Sequence, residues 1–183
     1  MNFLKGSSSL LFGISALFAL AKSENLPWKI FNCWLPIISF LCNASGYEKK
    51  WLLMDYAVII FLCISYVNEP IVTWTINVLC IVEILADQNI VITKNAAYLL
   101  AITKGVMISS FFFQNTFQHY TMMLSMTFGF AIYSTRFIRY RFTTDDSIEY
   151  VIWTWGLHAC VAIMLMCFSC LAVKEYDYSV YLF

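Results

Sequence analysis

The stretch Tyr150–Cys170, YVIWTWGLHACVAIMLMCFSC, decides the fold, because its 21 residues contain one readily ionisable side chain, His158. At about 1.5 Å per residue, a helix of this length crosses a hydrocarbon core of about 30 Å. Lipid cannot satisfy the imidazole nitrogens, so His158 must face protein or water. The sequence therefore predicts a transmembrane helix with an inward-facing histidine, which the rest of the chain is expected to surround.

The composition of the whole chain indicates the same class of protein. Of the 183 residues, 61% are hydrophobic and 12% are charged, against about 25% charged residues in ordinary soluble domains. The mean hydropathy is +0.74, and a soluble chain of this kind would expose apolar surface and aggregate. The formal net charge is zero, which gives no reason to expect a nucleic acid as partner. We expect a polytopic membrane protein with the lipid bilayer as its environment.

The seven cysteines predict packing rather than a disulfide framework. All of them lie in or beside apolar segments, at 33, 42, 63, 80, 160, 167 and 170. A framework of disulfides needs exposed loops, whereas free cysteines behave as small buried hydrophobes. Cys167 and Cys170 form a C-x-x-C pair, but without the strand–helix–strand context of a redox site.

Short polar connections divide the chain into seven apolar segments. They run over about 9–21, 28–44, 51–67, 71–85, 96–113, 120–134 and 150–173. The first lacks an A-x-A-like cleavage site and is interpreted as a retained helix, and Pro36 predicts a kink in the second. The connections are too short for a soluble domain. The predicted fold is therefore all-α, a single seven-transmembrane-helix bundle over residues 1–183.

The distribution of lysine and arginine predicts the orientation. With seven crossings, the N-terminus and every second connection share one side of the membrane. That side carries seven cationic residues and the other three, with Lys104 inside the membrane. The seven are Lys5, Lys49, Lys50, Lys94, Arg136, Arg139 and Arg141, and the three are Lys22, Lys29 and Lys174. The excess predicts a cytoplasmic N-terminus in a plasma membrane or an endomembrane.

Polar residues of the second, third and seventh segments gather toward the leaflet of the N-terminus. Ser39 and Asn43 are four residues apart and share a helix face, as do Thr154 and His158, while Asp55 lies early in the third segment. Hydroxyl and amide side chains often only bond a neighbouring helix. Ionisable groups inside a membrane are costly and usually functional. The pattern predicts one polar site in which Asp55 and His158 approach within hydrogen-bond or one-water distance.

The stretches SFLCNASGYEKKWLLMDY (39–56) and DDSIEYVIWTWGLHACVA (145–162) resemble the CREST superfamily. This group includes alkaline ceramidases, progestin and adiponectin receptors, hydrolases that remodel GPI lipids, and the myomaker-type fusion proteins. The chain is most similar to the myomaker-like branch, with its compact seven-span chain and the Asn-Glu-Pro end (68–70) of the third segment. The resemblance implies a seven-helix fold with a zinc site near one leaflet.

The family pattern is Ser-x-x-x-His in the second span, Asp in the third and His-x-x-x-His in the last, with three histidines on zinc. Here Ser39, Asp55 and His158 match, but Asn43 and Thr154 stand where two of the three ligand histidines are expected. The other histidine, His119, is placed in the connection between the fifth and sixth segments, roughly 30 Å away on the opposite face. A catalytic zinc requires three protein ligands and one open position. The resemblance therefore implies a degenerate site without metal or other cofactor.

Two further features have structural interpretations. Glu83, near the end of the fourth segment, and Lys104, in the fifth, are predicted to form an intramembrane ion pair, unless Lys104 extends to the interface instead. No histidine or acid stands at a helical offset from the hydroxyl groups in the apolar segments, so no hydrolytic dyad is indicated. These are Ser9, Ser15, Ser110 and Ser125.

Three functions stay open from the sequence. The first is a non-catalytic CREST-like protein that acts in lipid handling, membrane remodelling or fusion, or by binding membrane-protein partners. The second is a zinc-dependent intramembrane lipid amidase or esterase with an atypical site. The third is a small structural subunit of a membrane complex, whose polar residues only pack helices. Bound zinc separates the first two, and tightly co-purifying partners favour the third.

Overall fold

The computed structural model describes residues 2–86, 89–112, 117–140 and 147–179, with the side chains of 109–112, 118, 136–140 and 171–179 excepted. These ranges form helices and contain no strand. The helices are α1 (Asn2–Lys22), α2 (Leu26–Ala44), α3 (Lys49–Val67), α4 (Pro70–Leu85), α5 (Val91–Phe112), α6 (Phe117–Tyr140) and α7 (Ile148–Ser179). A 3₁₀ turn over Ser8–Leu10 lies within α1.

The predicted all-α class is confirmed, and each predicted segment coincides with one of these helices. Within the described ranges, four helical stretches are long and apolar enough to cross a membrane: Asn2–Lys22, Lys49–Val67, Val91–Ile108 and Ile148–Cys170. The apolar α4 is shorter, with 16 residues. The chain thus has the character of a multi-pass membrane protein.

The ends of several helices differ from the prediction, and two of these differences concern residues named above. The first helix begins at Asn2, not near Ser9, so the run Ser7–Ser9 is inside the helix. The sixth begins at Phe117, not Tyr120, so His119 lies in its first turn rather than in a connection. In both cases the prediction ends the helix where polar side chains begin. A helix continues through polar residues when packing or backbone hydrogen bonds support it.

The end of α2 shows why the chain turns back beside its own polar residues. The Tyr47 N–H donates to the Cys42 carbonyl (3.0 Å) and the Gly46 N–H to the Asn43 carbonyl (3.3 Å). Gly46 has a φ of +71°, and these two bonds with a left-handed glycine form a Schellman motif. The motif satisfies the last carbonyls of α2 and brings α3 back against it.

Consecutive helices run in opposite directions. Contacts join the start of one helix to the end of the other, or the reverse, in the pairs α1–α2, α2–α3, α4–α5 and α6–α7, and α1 packs between α2 and α7 while α3 packs between α2 and α5. Helix α4 lies against α5, and α6 lies mainly against α7. The pairs that fix these directions are Ser9–Ser39, Asn25–Ser65, Glu83–Ile92 and Ile132–Gly156.

Aromatic side chains close the end of the bundle that is remote from residue 2. The Trp28 Nε1–H donates to the Ser169 hydroxyl (2.9 Å), and the Trp28 ring lies 5.4 Å from that of Tyr66. Tyr66 stacks on Phe168 at 4.4 Å, and Gly105 allows α5 to approach the same ring. This packing joins α2, α3, α5 and α7, so polar chemistry is concentrated at the opposite end.

Candidate functional site

The polar end of the bundle contains two sets of hydrogen-bonded side chains, Ser9–Ser39–Asn43–Asp55 and Ser8–His158, which together we call the polar cluster. Three of the residues predicted from the sequence meet directly. Ser39 and Asn43 are buried, with 3% and 5% of their surface exposed. The Asn43 Nδ2 donates to the Ser39 carbonyl at 2.8 Å, and Asp55 receives a side-chain hydrogen bond from Ser39.

Several hydrogen bonds of the cluster converge on Ser39, which donates to Asp55. The Tyr47 hydroxyl donates to the Asn43 Oδ1 (2.9 Å), and the Asn43 Nδ2 lies 3.5 Å from the Ser39 Oγ. The Ser9 hydroxyl also donates to the Ser39 Oγ (3.1 Å). Ser39 therefore has its own proton left for Asp55. Hydrogen bonds that point the same way strengthen one another and stabilise negative charge at their end, so the cluster is arranged to support a carboxylate.

Asp55 has a second source of stabilisation in Lys94 of α5. The ammonium group of Lys94 interacts electrostatically with the carboxyl group and lies 4.1 Å from the ring centroid of Tyr56. The side chain of Asp55 is partly buried as a whole, but its Oδ1 is inaccessible and has no hydrogen-bond partner among the described residues. The counter-charge of Asp55 is thus a lysine that the sequence reasoning did not connect with it.

His158 is bound by α1, through a residue that the sequence reasoning did not select. The Ser8 Oγ lies 2.7 Å from the His158 Nδ1 and 2.6 Å from the Lys5 carbonyl oxygen. A carbonyl only accepts, so the single hydroxyl proton of Ser8 belongs to that shorter contact. In the tautomer that carries its proton on Nδ1, His158 donates to Ser8. The Phe12 ring, with its centroid 4.8 Å away, covers the imidazole.

The contact between Ser8 and His158 pairs a hydroxyl group with an imidazole. A serine nucleophile needs a base that accepts the hydroxyl proton. Here the Ser8 hydroxyl donates to a backbone carbonyl, and the direction of its contact with the imidazole depends on the histidine tautomer. Ser8 is also fully buried. The contact positions His158 between α1 and α7.

The remaining predicted member of the site, Thr154, satisfies itself within α7. It is buried, and its hydroxyl donates to the Tyr150 carbonyl one turn earlier (2.8 Å). The predicted direct approach of Asp55 and His158 stays a prediction. The structure gives Asp55 its hydrogen bond from Ser39 and gives the Nδ1 of His158 a bond with Ser8.

Two tyrosines close the polar cluster from outside. The Tyr47 and Tyr150 hydroxyls lie 3.4 Å apart, and the Lys5 ammonium lies 4.9 Å from the Tyr150 ring centroid. Tyr47 has a φ of +65°, a left-handed conformation that is strained for an aromatic residue. Its bond to Asn43 helps to hold this conformation, so the cover over the cluster is under backbone strain.

Glu83 and Lys104, predicted as an ion pair, bind different groups. Glu83 accepts from the backbone N–H groups of Ile92 (3.1 Å) and Thr93 (2.7 Å) and from the Thr93 hydroxyl. The Lys104 Nζ donates to the Val67 carbonyl at 2.8 Å, at the end of α3. Each charge thus binds a helix terminus of opposite partial charge. Free backbone groups at helix ends need partners in lipid as much as charges do, and this replaces the predicted pair.

A sequence signal could have revealed the role of α1. Ser9, Ala16 and Ser23 repeat at seven-residue intervals, and Asn25, Asn32 and Ser39 repeat in the same way on α2. Small and polar residues at this spacing form a seam between two membrane helices. In the structure Ser9 contacts Ser39 on that seam. The repeat predicts that α1 packs against α2 as part of the bundle.

Among the described residues, no group of three His, Cys, Asp or Glu side chains is arranged to hold a metal ion. No family model, curated protein or solved structure matches the chain. The functional interpretation therefore depends on the polar cluster itself.

Proposed function

We propose that the chain is a non-catalytic, CREST-like membrane protein that acts in lipid handling, membrane remodelling or fusion, or by binding membrane-protein partners. One observation carries this proposal. Asn43 and Thr154, at the two positions where the family has ligand histidines, are engaged in hydrogen bonds with Ser39, Tyr47 and the Tyr150 carbonyl. Both side chains therefore already have hydrogen-bond partners within the protein.

The ligand chemistry argues against a zinc hydrolase. An amide or hydroxyl side chain does not replace an imidazole on zinc with comparable affinity. Asp55 and His158 supply two ligands at most, whereas a catalytic site needs three and an open position for water. The Nδ1 of His158 is bound to Ser8, so only its other ring nitrogen could serve. The atypical zinc amidase is therefore the second choice.

We further propose that all seven helices cross the bilayer, as one domain. Support comes from the alternating directions of consecutive helices, which place the starts of α1, α3, α5 and α7 at one end. The end with the polar cluster is then the side of the N-terminus. By the excess of cationic residues, seven against three, this side is cytoplasmic.

Native mass spectrometry from lipid nanodiscs tests the proposal, because one spectrum reports both bound metal and retained lipid. The natural protein is expected to carry no stoichiometric zinc, and the double variant Asn43→His/Thr154→His is expected to gain one zinc ion. Asp55→Ala should lose retained lipid relative to Leu17→Ala, a control whose side chain is 69% exposed on the outside of α1. Stoichiometric zinc in the natural protein would refute the non-catalytic assignment and favour the lipid amidase.

A protein partner that stays bound in the same spectra would instead favour the structural subunit, provided that Asp55→Ala retains as much lipid as the natural protein. That outcome would mean that the polar cluster only packs helices. It is distinguishable from the zinc result, since each appears as a different mass added to the chain.

A further inference from the structure

Helix α4 is loosely embedded in the described part of the bundle. Of its 16 residues, only Ile76 and Glu83 are buried, whereas Ile71, Trp74 and Leu85 expose between 73% and 81% of their surface. It packs against α5 and touches α3 only slightly. A helix held by so few apolar contacts depends on its ends for its position.

Both connections of α4 contain a residue in the left-handed region. Asn68, at the start, has a φ of +52°, and Ile90, beyond the other end, has a φ of +46°. Asparagine tolerates this conformation, and it can act as a relaxed pivot. For a β-branched isoleucine the conformation is strained. The strain persists only while other interactions hold Ile90 in place.

Ile90 is buried in the core and its carbonyl accepts the Lys94 N–H (3.0 Å), and Glu83 binds the two residues at the start of α5 that follow it. Its carboxylate accepts the Ile92 and Thr93 N–H groups and the Thr93 hydroxyl, directly after the strained Ile90. One side chain of α4 therefore provides the acceptor for the first turn of α5 and fixes the second connection. At the first connection Lys104 bonds the carbonyls of Tyr66 and Val67, which belong to α3 and not to α4.

We propose that α4 is a hinged helix that pivots at Asn68 and is latched to α5 by Glu83, so that release of the latch opens the α3–α5 face to lipid. The 16 residues of α4 span about 24 Å, so a swing of about 20° moves the Glu83 end by about 8 Å. This lateral opening does not depend on the proposed lipid-handling function, because it concerns only how α4 is attached.

Double electron–electron resonance between spin labels tests the hinge. Labels at Val82 and Lys50, both exposed, report the latched end. Labels at Ile71 and Leu26, also exposed, report the pivot end. Genetically encoded ketone side chains should carry the labels, because seven natural cysteines would react with thiol reagents.

Glu83→Gln is expected to add a population about 8 Å longer at the latched end and to leave the pivot-end distance unchanged. Thr93→Val, which removes one donor, should add a smaller population of the same kind. Glu69→Gln is the matched control, since this acid is exposed at the other end of α4, and it should leave both distances unchanged. An unaltered latched-end distance in Glu83→Gln would overturn the proposal. A change at both label pairs would show that Glu83 supports the whole fold, and would refute the hinge equally.

Discussion

Removing the Ser39 hydroxyl tests whether the polar cluster is a directed network or a set of independent contacts. Ser39 is the point where the bonds from Ser9 and Asn43 meet, and it donates to Asp55. In Ser39→Ala the amide of Asn43 keeps its bond to the residue-39 carbonyl. The Ser9 hydroxyl can turn to a backbone carbonyl of its own helix, as Ser8 already does. The carboxyl group of Asp55 has no such replacement.

The expected cost follows from that difference. A hydrogen bond to a charged group contributes about 1.5–3 kcal/mol to stability. When the donor is removed, the buried acceptor also loses the full free energy of its solvation by water. Because the Oδ1 of Asp55 already lacks a partner, we expect Ser39→Ala to lower the free energy of unfolding by about 2 kcal/mol. This is a factor of about 30 in the folding equilibrium.

The assay is reversible unfolding in mixed lipid–detergent micelles, followed by far-ultraviolet circular dichroism. Ser45→Ala is the control, because Ser45 bonds only the Cys42 carbonyl of its own helix end (3.0 Å). It should cost less than about 0.5 kcal/mol, as surface-type substitutions do. A double-mutant cycle of Ser39→Ala with Asp55→Asn should give a coupling of about 1 kcal/mol or more. A coupling near zero, or equal costs for Ser39→Ala and Ser45→Ala, would refute the directed network.

Two further predictions concern packing and orientation. Gly105→Ala should destabilise the protein by about 1–3 kcal/mol, because the new Cβ would overlap the Phe168 ring and lie 2.9 Å from its Cζ. The control is Gly13→Ala, where a new Cβ would have nothing within 4 Å, and it should be neutral or stabilise the protein by up to about 1 kcal/mol. Equal shifts of the thermal unfolding midpoint for the two variants would contradict the close approach of α5 and α7. A protease-cleavable tag at the N-terminus should be cut from the cytoplasmic side of sealed vesicles, and protection of the tag there would reverse the orientation.

The helices could be predicted from the sequence because lipid leaves few alternatives. Long apolar stretches separated by short polar ones must be helical when every backbone group has to be satisfied internally. The ends were less predictable, since polarity marks the water interface and not the last hydrogen bond of a helix. Ser7–Ser9 shows this, being polar and yet within α1.

The candidate site was predictable only where its members share a helix. Ser39 with Asn43 is visible as a spacing of four, and Asp55 as an acid in an apolar segment. The Ser8–His158 contact joins residues 150 positions apart, which no local pattern encodes. The partners of Glu83 and Lys104 were missed for another reason. They are backbone groups at helix ends, which every sequence contains and no side-chain pattern identifies.

The contact between Ser8 and His158 joins the first helix to the last, and this has a consequence for how the protein is made. Chains grow at about 5–20 residues per second, so His158 follows Ser8 into the membrane after roughly 8–30 s. During this time α1 presents the Ser8 hydroxyl group without His158, whereas the bonds from Ser9 and Asn43 to Ser39 and from Ser39 to Asp55 can form among α1, α2 and α3. Polar groups without partners in lipid are the features by which quality control recognises an unfinished membrane protein. We therefore expect chains that stop before α7 to be degraded faster than the full chain, because their first helix lacks its contact with His158.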